Sequence, residues 1–235
     1  MKIAMVTGGQ PRFRNAWTTN FTSLSSDNEL YLYMYLWKDY GKAKKFDNDE
    51  NEITENNVER LIVKNLPNNC LLKKFIQCEM PKYEDLVPED IDSFPRASGS
   101  VPSNKDYTER LYMQHYSLHK AFCLIDEEYD CVIRYRLDGN TEYKIDLNKF
   151  NLEEGIYIPD SKKFSEYRSV CPEINDQYAI GSMKTMKVYF DLYNNLSKYI
   201  REDSKCFHFE TILSYHMVKN SINVKSAEFQ YRLER

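Results

Sequence analysis

The sequence predicts one α/β domain over residues 1–235, built on a mixed, mostly parallel sheet with helices on its faces. Three observations lead there. The chain opens strand, helix, strand, an order that favours parallel pairing through a crossover. Its 235 residues include 42% hydrophobic and 14% aromatic side chains, enough for a substantial core and incompatible with global disorder. No internal repeat or composition break divides the chain.

Lys2 to Val6 is a short apolar run ended by Thr7-Gly8-Gly9-Gln10-Pro11, which reads as a buried strand entering a tight loop. Asn15 to Leu24 places Trp17, Phe21 and Leu24 at helical spacing, and Glu29 to Trp37 alternates Leu or Met with Tyr as a strand does. Asp39 to Asn57 is polar and predicts a solvated excursion, and Arg60 to Leu66 resumes a strand pattern. Pro81 to Lys105 carries four prolines and reads as a long irregular segment, either a cover over a site or a surface loop. Helical periodicity returns over Asp106 to Asp126 through Leu111, His115, Leu118, Phe122 and Ile125. Tyr129 to Asn140 predicts a strand whose apolar start gives way to charge. Gly155 to Pro159 and Gln177 to Ile180 predict short strands, and Ser182 to about Arg201 one helix with Met183, Met186, Tyr189, Phe190 and Tyr193 on a face. Phe209 to Asn220 predicts a last helix and Ile222 to Ser226 a last strand.

Composition narrows the function. Lys and Arg number 32 against 36 Asp and Glu, a net charge of -4, which disfavours a general nucleic-acid binder. No apolar run reaches the roughly 18 residues of a membrane span, and no leader-like segment opens the chain, so a soluble cytoplasmic protein is expected. Cys70, Cys78, Cys123, Cys131, Cys171 and Cys206 show no C-x-x-C pair and read as reduced thiols. Only 7 glycines occur, where about 7% of residues is usual, so each is expected where no other residue fits.

Three groups of residues can carry chemistry. In Thr7, Gly8, Gly9, Pro11 and Arg12, beyond the first strand, a Gly pair lets backbone amides approach a nucleotide and Arg12 offers two parallel donors to a phosphate. The G-x-G-x-x-G and Walker A patterns are both absent, and a tight turn with a surface arginine is the alternative. In Arg134-Tyr135-Arg136-Leu137-Asp138, strand alternation places Arg134, Arg136 and Asp138 on one face, where they form either an anion and cation site or a structural network. Asp176 in Asn175-Asp176-Gln177, and Glu210 in His208-Phe209-Glu210, either supply a general base, bind sugar hydroxyls or cap backbone amides. His208 is a candidate metal ligand; His115 and His119, one turn apart, lack a partner carboxylate and read as a helix face.

Taken in order, the opening strand with Gly-Gly-Gln-Pro-Arg-Phe, the strand ending in Trp37, Tyr129 to Asp138, Ile156 to Pro159, Asn175 to Gly181 and His208-Phe209-Glu210 resemble small GT-A-type glycosyltransferases, of the kind found in large DNA viruses and bacterial polysaccharide clusters. The resemblance runs from Lys2 to about Val224. It implies a GT-A-like (Rossmann-like) domain and a nucleotide-diphosphate-sugar donor at the strand ends, with a glycan or other hydroxyl as acceptor. Asp138 matches the last carboxylate of the family's D-x-D-like motif, which implies Mn2+ or Mg2+, with His208 a second candidate ligand; position 136 is arginine where that motif has its other carboxylate. Asp176 and Glu210 fall where the family places acceptor-binding or catalytic groups. A nucleotidyltransferase and a non-catalytic nucleotide- or glycan-binding module remain the alternatives.

Overall fold

The structure, a computed structural model, describes residues 1–13, 15–39, 53–91, 105–141, 144–159, 174–202 and 208–233. In chain order the strands are β1 (Lys2–Gly9), β2 (Glu29–Trp37), β3 (Cys70–Cys78), β4 (Cys131–Arg134), β5 (Gly139–Thr141), β6 (Ile156–Pro159), β7 (Ala179–Gly181), β8 (Val224–Ala227) and β9 (Tyr231–Leu233). The helices are α1 (Thr19–Thr22), α2 (Val58–Asn65), α3 (Tyr83–Leu86), α4 (Lys105–Phe122), α5 (Met183–Phe190), α6 (Leu192–Glu202) and α7 (Phe209–Lys219).

Seven strands form one sheet in the order β3-β2-β1-β4-β7-β6-β8, and β5 pairs with β9 in a small separate sheet. Among the described strands of the large sheet, β7 alone runs against its neighbours, pairing antiparallel with both β4 and β6. This is the mostly parallel, helix-flanked α/β architecture expected from the sequence.

The period of two along the strands separates two cores. Ala4, Val6, Tyr33 and Val132 face α4 to α7 on one side of the sheet. Ile3, Met5, Leu32, Met34, Cys131 and Ile133 pack on the other against Trp17, Phe21 and the α2 residues Val58, Leu61 and Ile62. Burial of each such aliphatic side chain contributes about 1.5–3 kcal/mol. No helix among the described residues is long and apolar enough to cross a membrane. Cys70, Cys78, Cys123 and Cys131 are free thiols, while Cys171 and Cys206 lie outside the described residues.

Several expectations are corrected. Arg60–Leu66 belongs to α2 and is no strand, because Val58, Leu61 and Ile62 bury one helical stripe under the sheet. The strand follows it, as β3. The helix expected over 182–201 is two helices. Asp191 ends α5 by sending its N–H to the carbonyls of Lys187 and Val188, and its carboxylate accepts from Asn194 and Asn195 at the start of α6. The strand expected over 129–140 stops at Arg134; a turn carries residues 135–138 into β5. Of the irregular segment at 81–105, residues 83–86 form α3 and 92–104 lie outside the described residues. The polar excursion at 39–57 is described only at 39 and 53–57.

A candidate anion-binding active site

From β1 the chain moves outward to β2 and β3, then returns to place β4 on the other side of β1. The order therefore reverses between β1 and β4, and in open α/β sheets such a reversal leaves a crevice beyond the carboxyl ends of the strands. A cavity of about 400 Å³ occupies that crevice. Thr7, Gly8 and Gly9 of β1 line it together with Arg134 of β4 and the turn to Asp138, and Glu109, Arg110, Met113, Gln114 and Ser117 of α4 cover it.

The close seating of α4 depends on glycine. A Cβ on Gly8 would stand 2.4 Å from the Ser117 carbonyl oxygen, so only Gly lets the helix lie on this strand end. Gly9 has φ of 105°, a left-handed conformation that side chains other than Gly rarely adopt. Gly139 and Gly181 are also required by close packing, against the Tyr231 hydroxyl and the Thr185 side chain. Gly181 sits in β7 opposite Val132 and does not line the cavity. The four glycines are thus places of tight packing, and Gly8 and Gly9 are the two on the cavity wall.

The cavity is rich in cations. Arg12, Arg110, Arg134 and Arg136 line it, against the carboxylates of Glu109 and Asp138. Arg134 is 2% exposed, and its Nη1 donates to the carbonyl of Gln177 while its buried Nε finds no hydrogen-bond partner among the described residues. A buried guanidinium that lines a cavity is suited to an anionic ligand. Arg12 is exposed at the rim, with its Nε on Gln10 Oε1 at 2.8 Å. Pro11 is buried behind that rim and contributes no wall.

Arg136 and Asp138 form a two-pronged pair, Nε to Oδ1 and Nη2 to Oδ2, both 2.7 Å. Burial alone would push the Asp138 carboxyl up, but the fork with Arg136, assisted by Arg12, holds it below the usual carboxylate range. Burial likewise opposes the charge on Arg136, and Asp138 overcomes it, leaving the guanidinium above its ordinary value. The turn is clamped from outside: the Tyr231 hydroxyl accepts from the N–H of Arg136 at 3.0 Å and donates to its carbonyl at 3.1 Å, and Asn20 Nδ2 donates to the carbonyl of Gly139 at 2.9 Å. Arg134, Arg136 and Asp138 therefore share a wall because of this turn, and not through strand alternation.

Both oxygens of Asp138 already accept from Arg136, and among the described residues no group of three or more His, Cys, Asp or Glu side chains is arranged to hold a metal ion. His208 is engaged elsewhere: its Nδ1 lies 2.9 Å from Glu210 Oε2 and its ring stacks on Tyr107. As placed, Asp138 and His208 do not form the divalent-ion site that the D-x-D-like resemblance implies: each is paired with another side chain, Asp138 with Arg136 and His208 with Glu210.

Asp176 is 6% exposed and stands behind the cavity wall. Its Oδ2 accepts from Gln114 Nε2 at 2.6 Å, and its carbonyl accepts from the Tyr189 hydroxyl at 3.3 Å. Asn175 Oδ1 accepts from the N–H of Gln177 at 2.8 Å, which holds the bend around Asp176. Glu210, in the first turn of α7, also lies off the wall, while the neighbouring Phe209 is on it. His115, 5% exposed in α4, does have a carboxylate nearby: burial drives its pKa down to about 3, Asp176 opposes this, and Arg134 and His216 add to it.

The polar residues of α4 on the wall were missed in the sequence. Their signal was Arg110, Gln114 and Ser117 at spacings of four and three, one stripe beside the apolar stripe that marked the helix.

Fold and crevice together define an α/β protein with an arginine-lined pocket at the reversal point of its sheet. No protein-family model matches the chain, and no curated protein matches it. Among solved structures, one described as an active-site mutant of LgtC aligns over 97% of this chain and 72% of its own, at 13% identity and a TM-score of 0.46.

Proposed function

We propose that the chain transfers a glycosyl group from a nucleotide-diphosphate sugar to a hydroxyl of a glycan or other acceptor. The observation that carries this reading is the buried Arg134 on the cavity wall, beside Arg12, Arg110 and Arg136 at the switch point between β1 and β4. Its cations exceed the carboxylates of Glu109 and Asp138 by two, which suits the two charges of an esterified diphosphate. The resemblance in the opening loop and the Arg-x-Arg-x-Asp segment supports a sugar nucleotide over other diphosphates.

In the reaction the acceptor oxygen bonds to the anomeric carbon, the bond from that carbon to the phosphate oxygen breaks, and its electron pair leaves with the diphosphate. Arginines fixed before the reaction stabilise that growing charge without reorganising. Arg12, exposed at the rim and held through Nε by Gln10, turns its remaining donors to the diphosphate, and Arg136 supplies the positive charge that a metal supplies in D-x-D sites. The acceptor proton needs a carboxylate that reaches the cavity. Glu109 lies on the wall, whereas Asp176 and Glu210 lie behind it. Glu109 is therefore the base of an inverting reaction, with Asp176 acting through Gln114.

The test is release of nucleoside diphosphate from a panel of UDP- and GDP-sugars. Turnover of one donor, lost in Arg136→Ala and reduced in Glu109→Gln, supports the transferase. Binding without turnover would favour a non-catalytic module, and pyrophosphate release from nucleoside triphosphates alone would favour a nucleotidyltransferase.

A further inference from the structure

Gln114, on the cavity wall, is held from behind by a buried carboxylate. Its side chain lines the cavity, while its Nε2 reaches out of the cavity to Asp176 Oδ2 at 2.6 Å. That hydrogen bond runs from the amide nitrogen to a carboxylate oxygen, so the orientation of the carboxamide is set. Oε1 is then turned away from Asp176, and among the described residues no protein donor reaches it. The carboxylate is itself held: Asp176 is 6% exposed, and its own carbonyl is tied to Tyr189. A donor hydrogen bond to a carboxylate also polarises the amide, making Oε1 a stronger acceptor.

From this we propose that Gln114 is a sugar-recognition residue of the cavity, taking a hydrogen bond from a ring hydroxyl of the donor, and that Asp176 is its positioning residue. The inference rests on the nucleotide-sugar reading. A cavity whose remaining polar wall is mostly guanidinium donors binds phosphate oxygens, and these have no hydrogens to give. Oε1 of Gln114 does the opposite: it asks for a donor, and the part of a nucleotide sugar beyond the diphosphate is a ring of hydroxyls. Ser117 belongs to the same stripe of α4, but its hydroxyl is committed to the Gln114 carbonyl at 2.9 Å. Glu109 and Gln114 are the carboxylate and carboxamide acceptors that α4 brings to the wall, and Gln114 is the one tied to a buried carboxylate; a loss confined to the sugar nucleotide separates a partner on the sugar from one on the ribose, which the bare nucleotide also carries.

The experiment is calorimetric titration of UDP, GDP, UDP-glucose, UDP-galactose, UDP-N-acetylglucosamine and GDP-mannose into the wild-type chain, Gln114→Ala, Asp176→Asn and the double variant. Gln114→Ala should weaken the sugar nucleotide by about tenfold while the Kd of the matching nucleoside diphosphate stays within about twofold. Asp176→Asn, which lets the amide turn over, should shift the same ligand in the same direction. The double variant should bind no more weakly than Gln114→Ala, because a residue acting through Gln114 has nothing left to act on. Equal binding of the sugar nucleotide by wild type and Gln114→Ala, or losses that multiply in the double variant, would overturn the inference while leaving the nucleotide reading intact. No binding of any of the six ligands by the wild type would overturn that reading and the inference together. Should Asp176→Asn not fold, Gln114→Met, similar in size and without the acceptor, decides the question alone.

Discussion

Replacing His115 by leucine should flatten the loss of stability that the protein shows on acidification. The imidazole is 5% exposed, its Nε2 has no hydrogen-bond partner among the described residues, and burial, with Arg134 and His216 close by, lowers its pKa to about 3. An unfolded chain restores the ordinary value of about 6.5. A folded-state pKa below the unfolded one means that the unfolded chain binds the extra proton first. The neutral histidine therefore contributes its full stability above about pH 6.5, and that contribution is lost as pH falls towards 3. At pH 4.5 the chain is about two units below the unfolded value, and at about 1.36 kcal/mol per unit the wild type should have lost about 2.7 kcal/mol through this one group. Urea unfolding at pH 7 and pH 4.5, read by tryptophan fluorescence, measures the difference for wild type and His115→Leu. The variant should lose about 2–3 kcal/mol less over that interval. Identical losses in the two proteins would show that His115 is protonated in the folded state and refute the argument.

Three further outcomes follow from the packing and the charges. Gly8→Ala must push Ser117 backbone away from a Cβ standing 2.4 Å from its oxygen, and should cost about 1–3 kcal/mol by urea unfolding; a neutral substitution would contradict the close seating of α4. Tyr231→Phe strips the N–H and carbonyl of Arg136 of their shared partner and should cost about 1–3 kcal/mol, checked by thermal and urea denaturation against wild type, with an unchanged midpoint counting against the clamp. Donor affinity should change by no more than about twofold between excess EDTA and manganese, because Arg136 already holds both oxygens of Asp138; a tightening of about tenfold or more by manganese would show that the carboxylate leaves arginine for metal.

The parts of this molecule that were legible in the sequence are those whose signal is local. Lys2 to Val6 reads as a buried strand because Ile3 to Val6 is apolar without a break, and the Gly pair after it marks the end where α4 comes close. Arg12, Arg134, Arg136 and Asp138 could be singled out because charges at the end of an apolar strand need an answer, and all four line the cavity. What failed depends on partners distant in sequence. The run Leu61-Ile62-Val63 is short enough to pass for a strand until Val58 is seen sharing its buried stripe. β3 lies at the sheet edge with most positions half-exposed and Lys73-Lys74 in its middle, so it neither alternates nor runs apolar. The place of Asp176 behind Gln114 spans 62 residues, and the Tyr231 clamp on Arg136 spans 95. No spacing rule reaches that far.

The central claim is that the guanidinium-lined crevice between β1 and β4 binds the diphosphate of a nucleotide. Calorimetry of UDP and GDP, with uridine and guanosine as controls, on wild type and Arg12→Ala tests it most directly, since Arg12 is exposed at the rim and its removal leaves the core untouched. One diphosphate should bind with its nucleoside control silent, and Arg12→Ala should weaken it by about tenfold or more, as expected for a lost hydrogen bond to a charged group. Equal binding of nucleoside and diphosphate, or an Arg12→Ala variant that binds as tightly as the wild type, would contradict it.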